Sequence, residues 1–197
     1  MRKLLLGVEL ASTGIQVHGG TGFIEETGAA QWLRDVRITP IYEGTTGIQA
    51  NDLLGRKLVR DQGAAMMSLL NDVEQELTAK AAAQTAQAVR AEALSAVTQL
   101  RETTLTLLKL AAQDMDQALA VNEPYLMLCG FVLGGWLMAR AAQVVSDAGS
   151  GAGDEFKAAK LATARAYMGQ LLPRALAYRQ IVLKGSNSVA GVDAALI

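Results

Sequence analysis

Val89-Arg90-Ala91-Glu92-Ala93-Leu94-Ser95-Ala96-Val97-Thr98-Gln99-Leu100-Arg101-Glu102-Thr103-Thr104-Leu105-Thr106-Leu107-Leu108-Lys109-Leu110-Ala111 is a run with no turn dipeptide in it. Val89, Ala93, Val97, Leu100, Thr104, Leu107 and Ala111 recur along it three and four residues apart, the spacing of one face of an α-helix. Upstream, Met66, Leu69, Leu70, Val73 and Leu77 keep the same spacing. Downstream, Asn122-Glu123-Pro124 is a helix start, with proline in the first turn where its missing N–H costs nothing. That helix carries Leu126, Leu133, Leu137 and Val144. Gly130 and Gly134 lie one turn apart with Gly135 beside them, so a neighbouring helix can approach closely, either within a bundle or across a dimer. Ser146 to Gly153 reads as a flexible surface loop. Asp154 opens a last long helix with Leu161, Ala164, Met168, Leu171, Leu172 and Ala175 inward and a kink near Pro173. Residues after Gly185 read as a loose tail. The fold class that follows is all-α, a helical bundle with long amphipathic helices.

Composition agrees. Of 197 residues, 51% are hydrophobic, only 5% aromatic, and 3 are proline. Alanine and leucine dominate the apolar content, and alanine enters a helix without losing side-chain entropy. The net charge is -1 with both signs interleaved, which excludes the basic stripe of a nucleic-acid binder. The single cysteine, Cys129, rules out an internal disulfide and points to a reducing, cytoplasmic setting and a buried structural thiol. Met1-Arg2-Lys3-Leu4-Leu5-Leu6 is not read as a signal peptide, because Glu9 interrupts it. Tyr125 to Ala139 is almost unbroken apolar sequence but shorter than the ~20 residues that cross a bilayer, so a buried helix and no membrane span are expected.

The first third has a different texture. Residues 1–17 read as a helix, Gly19-Gly20-Thr21-Gly22 as a tight turn, and Glu25 to Val36 as a short helix with acids first and arginines last. Pro40 breaks the chain, and Glu43 follows on a short connection beside Gly44. A further helix is expected from Thr45 or Thr46, either of which can cap it, to about Gln62, with Gly63 as the boundary. The expected division is 1–62, rich in motifs, and 63–197, a helical extension. The glycine turn is not a Rossmann fingerprint, since no strand precedes it. No His, Cys, Asp and Glu cluster has metal spacing, and His18 is not assigned as a base.

Gln16-x-x-Gly19-Gly20-x-Gly22, Arg34-Asp35-x-Arg37, then Tyr42-Glu43-Gly44-Thr45 and Gln49 together resemble, in order and spacing, the C-terminal part of the acyl-CoA dehydrogenases. Pro124-Tyr125-Leu126, Gly134-Gly135-Trp136-Leu137, Asp154-x-Phe156, Lys160-Leu161-Ala162-x-x-Arg165 and Leu171-Leu172-Pro173 resemble, more loosely, the extra C-terminal helical domain of a larger subgroup. The resemblance implies a flavin-dependent α,β-dehydrogenation of an acyl-CoA thioester, with FAD as cofactor. It implies Glu43 as the base that removes the α proton and Gly44 as a backbone contact to the substrate. Gln16, Gly19 and Gly20 would contact the FAD of a neighbouring subunit, and Thr45, Thr46 and Gly47 that of the chain's own subunit. A complete member also has an N-terminal helical domain and a middle β domain, which this sequence does not match. The chain alone is therefore expected to be inactive and to join a homo-oligomer or a chain supplying those domains. A non-catalytic helical interaction module derived from the family is the alternative.

Overall fold

The computed structural model describes residues 2–79, 84–147, 151, 153–189 and 192. Among the described residues there is no strand, and helices account for nearly all of them, so the all-α expectation holds. The chain divides into two compact units, Met1–Ala50 and Asn51–Ile197.

In the first unit, α1 (Arg2–Val17) packs on α3 (Ala29–Arg37), with α2 (Gly20–Phe23) and a 3-10 turn (Glu25–Thr27) between them. Close packing is built on Gly7, where a β-carbon would lie 3.1 Å from Val36 Cγ2. The helix expected over Glu25 to Val36 is interrupted. Gly28 adopts φ 74°, a left-handed conformation open to glycine at little cost, and the α-helix begins only at Ala29. The acids then lie on the 3-10 turn, where Glu25 Oε1 accepts from Arg34 Nη1 at 2.7 Å. That guanidinium holds the Glu25 carboxyl below its usual range, but both groups are exposed to water and the pair adds little to stability. α4 (Thr46–Asn51) closes the unit.

The second unit opens with a π-helical segment, Asp52–Val59, with Leu54 and Leu58 completely buried. Gln62 and Gly63 then take φ 54° and 81°, and Asp61 caps the next helix by accepting from Gly63 N at 3.0 Å and Ala65 N at 2.9 Å. α5 (Ala64–Thr78), α6 (Gln84–Gln113), α7 (Met115–Ala120), α8 (Asn122–Ser146), α9 (Asp154–Ala166), a π-turn (Tyr167–Leu171), α10 (Arg174–Lys184) and α11 (Ser186–Val189) follow. α6 and α8 form the centre, with α5, α9 and α10 around them.

The sequence stripe on α6 is the buried one: Val89, Ala93, Val97, Leu100, Thr104, Leu107 and Ala111 all lie in the core. On α8 the buried face is a different one from the leucines named above. Tyr125, Leu128, Val132, Gly135, Ala139, Ala142 and Val145 face inward, whereas Leu137 is 39% and Val144 56% exposed. α8 is apolar on nearly every side, so its pattern does not mark the face that packs. Among the described residues α8 alone is long and apolar enough to cross a membrane by length and composition, and here it is the core helix of the bundle. Gly135 serves packing within the chain, since a β-carbon there would stand 3.2 Å from Leu172 Cδ1.

Polar side chains fasten the layers. Tyr125 Oη and Thr104 Oγ1 are 2.8 Å apart; Thr104 gives its one proton to Leu100 O at 2.8 Å, so the tyrosine donates. Arg101 grips both carboxylate oxygens of Glu74, at 3.0 and 2.9 Å. Arg90, only 6% exposed, reaches from α6 over the end of α5. Its Nη2 donates to Glu76 O at 2.9 Å, to Leu77 O at 2.8 Å and to Ala79 O, while Nη1 donates to Gln143 Oε1 on α8 at 2.9 Å. This satisfies carbonyls that a helix C-terminus leaves without partners.

The expected kink near Pro173 takes the form of the π-turn, in which Leu172 N bonds Tyr167 O at 2.9 Å. Proline cannot donate and its ring crowds the carbonyl four residues back, so the ladder loosens just before it. After Gly185 the chain is not simply a tail: Ser186–Val189 is helical, and Ser186 is buried where α11 meets α7. Residues 190, 191 and 193–197 of the expected tail, and 148–150 and 152 of the expected loop after Ser146, lie outside the described residues.

Candidate functional site

Three local structures carry the residues singled out in the first unit. The glycine turn comes first. α1 ends at Val17, Gly19 N bonds Gln16 O at 3.0 Å, and Gly19 adopts φ 62°. Gly22 is buried, and a β-carbon there would lie 2.3 Å from Ile15 O, closer than any side chain tolerates. The third glycine of the motif is thus required by packing against α1. Gly19 is required by its conformation. Gln16, His18, Gly19 and Gly20 are exposed at this corner. His18 lines a small hollow with Ala11, Gly14, Thr27, Ala29 and Trp32.

The second is the connection bearing Glu43. Ile41 N and Tyr42 N both bond Ile38 O, at 2.9 and 3.1 Å, so the chain coils tightly through the buried Pro40. Glu43 then takes φ 57° and Gly44 φ 92°. A non-glycine residue in the left-handed region costs about 1–2 kcal/mol, and such positions cluster at functional sites. Gly44 is strained for any other residue at this φ, and a β-carbon would sit 3.1 Å from Ile48 Cγ2, which would have to give way. The Glu43 carboxylate is exposed. Gln49, one turn into α4, reaches back and donates from Nε2 to the Glu43 main-chain oxygen at 2.6 Å.

The third is a groove of about 720 Å³ immediately after that loop, lined by Val8, Glu9, Ser12, Arg37, Pro40, Ile41, Thr45, Thr46 and Gly47. α4 begins at Thr46, with Thr45 O accepting from Gln49 N at 3.0 Å. Thr45, Thr46 and Gly47 therefore share one groove with Arg37, and Glu43 and Gly44 precede it directly in the chain. Gln16, Gly19 and Gly20 do not line it. Gln49 carried no assigned role in the sequence. Its position six residues after Glu43, on the first turn of an expected helix, was the available signal. Among the described residues no group of His, Cys, Asp and Glu is arranged to hold a metal ion. Cys129 lies on α8, buried, with its thiol pushed up to about 12 by desolvation, which makes it inert.

A family model described as "Acyl-CoA dehydrogenase, C-terminal domain" matches residues 5–59, and one described as "Acetyl-CoA dehydrogenase C-terminal like" matches residues 66–193. The chain belongs to the acyl-CoA dehydrogenase family. Among curated acyl-CoA dehydrogenases, the 3-methylmercaptopropionyl-CoA dehydrogenase of Ruegeria pomeroyi is 46% identical over 170 residues, covering 84% of this chain and 28% of the relative. The broad-specificity linear acyl-CoA dehydrogenase of Mycobacterium tuberculosis is 32% identical over 192 residues, covering 92% of this chain and 31% of the relative. A butyryl-CoA dehydrogenase of Syntrophomonas wolfei is 39% identical over 64 residues. The chain thus spans 28% and 31% of the length of the first two acyl-CoA dehydrogenases, and the family models that match describe C-terminal parts.

Proposed function

We propose that this chain is the base-bearing C-terminal segment of a flavin-dependent acyl-CoA dehydrogenase acting in fatty acid metabolism in the cytoplasm. The observation that carries the reading is the left-handed Glu43–Gly44 pair, which leaves a carboxylate exposed beside a glycine whose positive φ disfavours any side chain. Glu43 removes the α proton of the acyl thioester, and Gly44 leaves room for the substrate to approach the backbone. A proton α to a thioester is weakly acidic, so the base has to meet it shielded from water. Glu43 is exposed here, so that shielding has to come from bound substrate and from the rest of the enzyme.

The groove after the loop has a donor set suited to FAD: Arg37 offers a cation to a pyrophosphate, Thr45 and Thr46 offer hydroxyls, and Gly47 offers bare backbone. Among the described residues of its lining Glu9 is the one carboxylate. Gln16, Gly19 and Gly20 face outward at the glycine corner and suit contact with the FAD of a second subunit. Bound FAD supplies the hydride acceptor of the reaction. The chain's own residues hold it, position the thioester and move the proton. Hydride transfer needs both partners fixed, and a single groove does not fix them, so the isolated chain is inactive.

A second reading, a helical interaction module without catalysis, is favoured by apolar side chains on the first unit: Val17 is 83%, Phe23 82% and Trp32 72% exposed. Visible absorption after incubation with FAD and removal of free flavin separates the two. The catalytic reading expects a perturbed flavin band when a chain carrying the remaining domains is present, with acyl-CoA bleaching it and Glu43→Gln abolishing the bleaching. Bleaching that survives Glu43→Gln, or a colourless complex, leaves only the interaction module.

A further inference from the structure

The backbone at Glu43 is in a conformation that its own residue type disfavours, with φ 57°, and Gly44 follows at φ 92°. Among the described residues, one side-chain donor reaches the main chain of this pair. Gln49 Nε2 donates to Glu43 O at 2.6 Å, and the same nitrogen would stand 3.6 Å from a β-carbon placed on Gly44, so it lies across the top of the turn. Gln49 is itself fixed, because its backbone N–H bonds Thr45 O at 3.0 Å in the first turn of α4. Ile48 closes the other side of Gly44 with Cγ2 at 3.1 Å from that position. Glu43 O is thus tied to a helix that starts two residues after Gly44. The loop is clamped to α4 by its own following turn.

We infer that Gln49 is the positioning residue for the Glu43 carboxylate: its carboxamide holds the left-handed Glu43–Gly44 pair and thereby fixes where the base points. This rests on Glu43 being the base, but the clamp itself can be tested without that reading. Gln49 acts through the Glu43 carbonyl. A hydrogen bond of this kind shifts a local equilibrium by about 2- to 10-fold, so the ratio of left-handed to other conformers at Glu43 should fall by that factor when the donor is lost.

The test uses the isotope-labelled chain, with the HN–Hα coupling and carbon shifts of Glu43 reporting φ, and the Gln49 side-chain protons reporting the bond by slow exchange with water. Gln49→Met and Gln49→Glu keep length and helix propensity but remove the donor; Gln49→Lys keeps a donor. The expected result is a loss of left-handed signature at Glu43 in the first two variants and its retention in the third, with helical circular dichroism unchanged in all. In the complete flavin-loaded enzyme, kcat should fall in proportion to the left-handed share, by at most about 2- to 10-fold, with KM little altered. An unchanged Glu43 φ signature in Gln49→Met overturns the clamp, whatever the role of Glu43. A changed signature with full activity in Glu43→Gln leaves the clamp standing and removes the base instead.

Discussion

Replacing Arg90 by methionine should cost the second unit about 2–3 kcal/mol, and the figure follows from the contacts one by one. The guanidinium is 6% exposed and donates to the carbonyls of Glu76, Leu77 and Ala79 and to Gln143 Oε1. Leu77 O is buried, so stranding it costs about 1–3 kcal/mol. Ala79 is exposed and Glu76 and Gln143 half-exposed, so water takes over part of those bonds and each loses less. Methionine also removes a buried charge, which returns some of the loss. Lysine keeps the charge but not the planar fork, and cannot reach α5 and α8 together, so Arg90→Lys should recover no more than about half. Urea unfolding followed by tryptophan fluorescence measures this. The chain has only 2 tryptophans, so a Trp32→Phe background leaves Trp136 as the reporter. Trp136 donates to Glu76 Oε2 at 3.1 Å and so reads the α5–α8 contact directly. A loss below about 0.5 kcal/mol at unchanged m-value would refute the account, because it would mean that water already serves these carbonyls.

Gly22→Ala places a β-carbon 2.3 Å from Ile15 O and 2.8 Å from His18 Cβ; the expected cost is about 1–3 kcal/mol, read as faster amide exchange through the glycine turn, and wild-type exchange rates would contradict it. For Cys129 the folded state holds the thiol proton up to about 12 against an ordinary 9.0, so the folded form binds more protons in that window and loses stability as pH rises through it. Cys129→Ala should therefore flatten the decline in urea midpoint above about pH 9, and an identical decline in both proteins would show that the thiol is not buried as described.

The sequence marks most clearly what periodicity can mark. The stripe from Val89 to Ala111 alternates with charged and polar residues, and each of its members is buried. α8 has too few polar positions to cast such a shadow, so its inward face is Tyr125, Leu128 and Val132 rather than Leu133 and Leu137. The break at Gly28 was invisible for another reason: a lone glycine inside a helical pattern is tolerated as often as it terminates one, and the neighbours of Gly28 decide it. At the candidate site, the resemblance carried by the run from Gln16 to Gln49 named the residues now under proposal. The bond from Gln49 to the Glu43 carbonyl was not legible, because it depends on a backbone angle that glutamate ordinarily avoids.

The π-turn at Tyr167–Leu171 also sets the phase of everything after it. Each residue advances a helix by about 100°, so one extra residue within the turn rotates α10 by that angle relative to a straight continuation of α9. Ala175 and Val182 face the bundle only because of that rotation. Deleting a single residue between Tyr167 and Leu171 would close the turn to an ordinary α-helical one and leave Ala175 and Val182 inward, whereas deleting one residue just after the turn, with the π-turn kept, would rotate α10 by about 100° away from that face. The π-turn is therefore the place in this helix pair where one residue can be lost without turning the following helix, and a single-residue deletion there should cost less than one inside α10.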